Sequence, residues 1–249
     1  GSGGFTEGTL DLTNLDYQGS TAISLSLTGT STFSASNFST AADFTVSAPQ
    51  VTISESQFDG AVDLTVTGSS ASSFSSNTVE GNTILNIDAT GNFTVGGNGS
   101  DAFFNGDLDI DVANSITFNM ANGSSKVHVS GDLGFDFDNA NNVRIGTGSG
   151  GALVFSPTGN QSFDNNGSTA TSSFTWSEIE VNGTGSLTLN APLYIANNGG
   201  LDMISGILIT SSSNFVDLNA NATLSGGSLT SFIEGPVIKT LNQSDVITF

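Results

Sequence analysis

The chain has no cysteine, a single histidine and three basic residues, and each shortage closes off a class of chemistry. Without cysteine there are no disulfides and no thiolate metal sites, while the compartment is left open. With His128 as the lone imidazole, zinc and copper centres are not expected, since they draw on several imidazoles or thiolates. The same shortage leaves the many serines without a base to activate one as a nucleophile. Lys126, Arg144 and Lys239 are the whole cationic complement, against 23 acidic residues and a net charge of −20. That balance argues against nucleic-acid binding through phosphates and against docking on anionic lipid. No apolar run approaches the roughly 18 residues of a membrane helix, so no membrane insertion is expected.

What is present is sufficient for a core. Hydrophobic residues make up 36% of 249 residues and include 18 Phe, whereas charged residues make up only 10%. Most of the polarity is uncharged Ser, Thr, Asn and Gly, which excludes a disordered polyelectrolyte. The opening GSGGFTEG has neither an initiator Met nor a signal-peptide pattern, and the closing SDVITF stops within a strand-like run. Both ends are those expected of an excerpt or a processed product of a longer protein.

One nine-residue phrase recurs: FSTAADFTV (38–46), FDGAVDLTV (58–66), VEGNTILNI (79–87), FNGDLDIDV (104–112) and VSGDLGFDF (129–137). Its odd places are mostly apolar or Gly and its even places mostly polar, as in Phe104, Gly106, Leu108, Ile110 and Val112 against Asn105, Asp107, Asp109 and Asp111, the period of a strand with one buried face. Helix is excluded, because residues at i, i+2 and i+4 wind around a helix instead of forming a stripe. The glycine at the third place is expected to leave room for a neighbouring Phe or for a bend. Shorter strand signals follow each copy, at Val51 and Ile53, Phe93 and Val95, Phe118 and Met120, Val143 and Ile145, with turn clusters between. After residue 150 the phrase fades but the rhythm continues at 152–155, 174–181, 186–189, 193–195, 207–209 and 215–218. None of the four prolines falls inside a phrase, and no linker marks a boundary.

Repeats of roughly 20–25 residues with several short strands each indicate an all-β parallel β-helix, a β-solenoid spanning 1–249 as one unit. A β-sandwich of many short strands is the competing architecture, but a sandwich does not repeat a phrase in register. Roughly ten coils stacked about 4.8 Å apart make a rod on the order of 50 Å long.

Parallel β-helices also carry polysaccharide lyases and hydrolases. The lyases resemble one another in using Arg or Lys as base, and Lys126, Arg144 and Lys239 fall in different coils. The hydrolases need converging carboxylates, usually beside a His-Gly pair and a basic motif, and His128 instead sits in the strand pattern KVHVS. Asp107, Asp109 and Asp111 alternate along FNGDLDIDV and are the candidate calcium ligands, with Asp101 and Asp136 or Asp138 able to join them. A solvated acidic face is the alternative reading of the same residues, and no EF-hand loop or GGxGxD nonapeptide is present. No other cofactor is expected. Trp176, alternating with Phe174, is expected in the core.

The stretch 201–239 resembles a segment of large secreted proteins of Bacteroidota, through the pieces LDMISGILIT, FVDL, ATLSGGS and SFIEGPVIK. The upstream phrases FNGDLDI and SFDNNG are similar to β-strand repeats of the same surface proteins. The resemblance implies a right-handed coil in an extracellular, adhesin-like or filament protein exported by type IX secretion. Its implied partners are other segments of the same long chain, with glycans or like subunits end to end as further contacts. A carbohydrate-active enzyme or glycan-binding module is the alternative.

Overall fold

The computed structural model describes residues 8–39, 43–97, 99–137, 142–147, 150–166 and 174–241. Among them there is no helix, and the strands stack in parallel as a β-solenoid of about nine turns. Each coil contributes to three sheets in the same order. In one coil these strands are Gln50–Ser54, Gln57–Phe58 and Val62–Val66, after which Ser72–Ser75 returns to the first sheet. Three parallel ladders run the length of the described chain, from Leu10–Thr13 to Val237–Lys239 along the first sheet.

The register identifies one inward column of the first sheet as Leu12, Phe33, Ile53, Phe74 and Val95, spaced by 20 or 21 residues. Met120 and Ile145 follow at intervals of 25, Trp176 after 31 and Ile195 after 19. The coil therefore changes length without losing register, because extra residues leave through the corners. Two strands, Phe174–Leu189 and Leu193–Ile209, pass through the corners unbroken, and their register shifts fall at the bends.

Inside, the columns are almost wholly apolar. Phe38 and Phe58 stack at 4.8 Å with an interplanar angle of 5°, and Phe93 and Phe118 at 6.4 Å and 2°. Such offset stacking is a consequence of parallel register, which places each ring over its counterpart one coil away. Trp176 is buried against Phe163 and Phe135, as its alternation with Phe174 implies.

Two corners are specified by different means. The first follows the first-sheet strand and repeats a left-handed residue: Asn14 (φ 55°), Ala35 (48°), Glu55 (53°), Ser76 (58°), Gly96 (70°), Ala121 (55°) and Gly146 (64°). Only three of these seven are Gly or Asn, so stacking on the neighbouring coils outweighs a local penalty of about 1 kcal/mol or more per residue. Buried polar side chains secure this corner. Ser36 Oγ accepts from Leu15 N, Ser56 Oγ from Ser36 N, and Asn77 Oδ1 from Ser56 N, while Asn77 Nδ2 donates to the Ile53 carbonyl.

The second corner explains the glycine of the repeated phrase. The phrase is not one strand. Phe104 closes the strand Ala102–Phe104, the chain bends at Gly106, and Leu108–Val112 begins the third sheet. At the bend the Cα–Cβ direction points along the axis, towards the coil before. A Cβ on Gly81 would lie 2.6 Å from Ala61 N, and one on Gly106 2.5 Å from the Gly81 carbonyl oxygen. The glycine thus makes room for the backbone of the preceding coil, and no Phe occupies that space. The third place of the first copy, Thr40, lies outside the described residues.

Candidate functional site

The three aspartates of FNGDLDIDV do not share one strand. Asp107 stands at the glycine corner, where Asn82 Oδ1 accepts from its backbone N–H (3.0 Å) and its own Oδ1 accepts from Asp132 N–H (2.9 Å). Asp132 Oδ1 then accepts from Ser162 N–H (2.7 Å). These carboxylates satisfy backbone donors of successive coils. Asp109 and Asp111 do alternate on Leu108–Val112 and point outward, beside Gly134 and Asp136 of the next coil.

Gly134 leaves a notch in that outer surface, lined by Asp109, Asp111, Asp136, Asn86, Asn166 and the half-exposed Ile84. Burial, then the neighbouring Asp107 and Asp132 carboxylates, raises the Asp109 carboxyl above the ordinary aspartate value. Asp101 is engaged elsewhere. Its Oδ1 accepts from Lys126 N–H, and its Oδ2 lies 3.6 Å from His128 Nε2. Asp138 lies outside the described residues. Among the described residues no group of three or more His, Asp or Glu side chains is placed to hold a metal ion.

A carboxyl with a raised folded-state pKa favours the protonated form, so its contribution to stability is present in acid and lost as pH rises through that pKa. Asp109→Asn is therefore expected to stabilise the chain at pH 7, by no more than about 1 kcal/mol for so exposed a group. The difference should shrink towards zero below the ordinary aspartate value of about 3.9. Melting temperatures of both proteins at pH 7 and in mild acid check this, and a gain that persists in acid would sink the charge explanation.

The periodic phrase gave no hint of a second charged group on the second sheet. Lys126 Nζ reaches across two coils to Glu180, 2.6 Å from Oε1 and 2.9 Å from Oε2. Asp202 follows Glu180 in register, and Ser225 Oγ donates to Asp202 Oδ1. Burial, then Glu180 and Asp202, raises the Glu178 carboxyl, which lies over Gly200. On the same outer surface Phe103 stacks on His128, with ring centroids 4.6 Å apart.

The three cations serve separate parts of the rod. Lys126 holds Glu180, and Arg144 Nε donates to Asn142 Oδ1 at 3.4 Å. Lys239 takes the inward position above Leu218 and spends all three ammonium donors on the carbonyls of Asn219, Ala220 and Ala222. Among the described residues no helix is long and apolar enough to cross a membrane. No family model matches the chain, and comparison with curated proteins and with solved structures likewise finds no match.

Proposed function

We propose that the chain is a stiff stalk or surface-contact segment of a larger bacterial surface protein, an adhesin or filament acting outside the cell. The observation that best supports this reading is the continuous parallel register of the three ladders, with no intervening hinge among the described residues. Bending such a rod means opening hydrogen bonds between coils on its convex side. Basic residues, the cleavage points of trypsin-like proteases, are scarce, and two of the three have their ammonium groups engaged. The acidic surface keeps neighbouring rods apart and soluble. Flanking segments of the same long protein are the natural partners, with glycans or further copies end to end as additional contacts.

Antibodies to the chain should decorate intact cells of the producing organism, and deletion of the gene should weaken attachment without impairing growth on polysaccharides. Staining confined to permeabilised cells, or unchanged attachment, would count against the stalk. One observation favours a second reading. Glu178 and Glu180 are two residues apart on one outer face, the first with a raised proton affinity and the second held beside Lys126, a division of labour seen in acid–base pairs. If purified protein released sugar from polysaccharides and Glu178→Gln abolished the release, the enzyme reading would replace the stalk.

A further inference from the structure

The three outer faces differ in chemistry. On the third sheet the outward positions include Asp63, Asp109, Asp111 and Asp136. On the first sheet the register stacks a neutral column instead: Thr32, Thr52, Ser73, Thr94 and Asn119. Beside it runs a second column, Thr13, Ser34 and Ser54, which ends at the buried Ser75, and Thr30 and Gln50 begin a third on the other side. The first charged residues met along the central column are Asp11 at one end and Arg144 at the other.

We infer that this face of the first sheet binds ice. Parallel stacking sets rows about 4.8 Å apart, and alternate residues along a strand stand about 6.6 Å apart. The result is a two-dimensional lattice of small hydroxyl and amide groups extending about 20 Å along the axis. The register is free of shifts from Leu10–Thr13 to Thr117–Met120, so the lattice is not dislocated. Thr32, Thr52, Ser73 and Thr94 make no side-chain hydrogen bond to the other described residues, so their hydroxyls face outward with capacity to spare. Threonine is stiff at χ1, which fixes the direction of each hydroxyl and methyl.

Only a partner that is itself periodic in two dimensions uses such a surface fully. Sugar rings are held by outward aromatic platforms, and on these rungs Phe33, Phe74, Phe93 and Phe118 all point inward and are buried. Mineral surfaces and polyelectrolytes call for charge, which the columns lack between Asp11 and Arg144. Ice presents neutral water oxygens on a lattice whose short repeats are close to both spacings. Its waters can hydrogen-bond to the hydroxyls about as well as they do to one another. Ice binding by this face does not depend on the chain's being a stalk.

Partitioning of the intact chain into slowly grown ice tests it. The wild-type chain should be enriched in the ice over a non-binding control protein. Thr52→Tyr, which plants a bulky ring in the central column, should fall to the level of the control. Thr65→Tyr, outward on the third sheet, should partition like wild type, and matching cooperative melts would establish that both variants are folded. Exclusion of wild type from ice would overturn the proposal, as would equal loss in both variants. So would retention on crystalline cellulose or chitin that Thr52→Tyr abolishes without any enrichment in ice.

Discussion

Gly131→Ala is expected to cost about 3 kcal/mol or more, whereas Gly134→Ala, three residues later, should change stability by no more than about 0.5 kcal/mol. Neither glycine has a positive φ, so backbone strain does not separate them. Surroundings do. A Cβ on Gly131 would lie 2.5 Å from the Gly106 carbonyl oxygen and 2.6 Å from Asp107 N, both part of the coil beneath. Relief requires that two coils spread, and the spreading would pass to Gly106 on Gly81 below. A Cβ on Gly134 would meet chiefly the Asp109 carboxylate oxygen, the free end of a side chain that can swing towards solvent. Alanine there also lowers the entropy of the unfolded chain, offsetting the adjustment. Urea unfolding of both variants decides the matter, and equal costs would refute close backbone stacking at the corner.

Phe58→Ala should be comparably severe, at about 3–5 kcal/mol. Phe58 is only 1% exposed and touches rings on three sides: Phe38 at 4.8 Å, Phe44 at 5.1 Å and Phe74 at 6.3 Å. The cavity would open where two sheets meet, and their ladders restrict collapse around it. Because each coil contacts only its neighbours, the damage should be local. Hydrogen exchange should quicken most in the coils holding Phe38 and Val79, which flank Phe58 in its column. A cost below about 1 kcal/mol would show that the aromatic column packs loosely.

The solenoid was legible because inward alternation survives the bends. Phe104, Leu108, Ile110 and Val112 all face inward, as their even spacing along the chain implies. For the same reason the corner between Phe104 and Leu108 was invisible, since a period of two keeps its phase around a bend. Asp107 consequently read as a strand neighbour of Asp109 when it is a corner residue. The left-handed column was hidden for another reason: Ala35, Glu55, Ser76 and Ala121 are not residue types that announce positive φ. The pairing of Lys126 with Glu180 was obscured because it skips a coil: the rung between them carries Ala152 and Val154, and the repeated phrase has faded by that point in the chain.

The ladder geometry also determines how the rod responds to force. Hydrogen bonds between coils lie roughly along the long axis, and the chain enters near one end and leaves near the other. Tension applied through the two ends therefore opens the terminal coil first, a few bonds at a time, before load reaches the next. Each released coil of about 20 residues adds up to roughly 70 Å of slack chain. Extension would thus proceed as a series of similar small steps at nearly constant force, making the rod a shock absorber in tension while it remains a strut in compression.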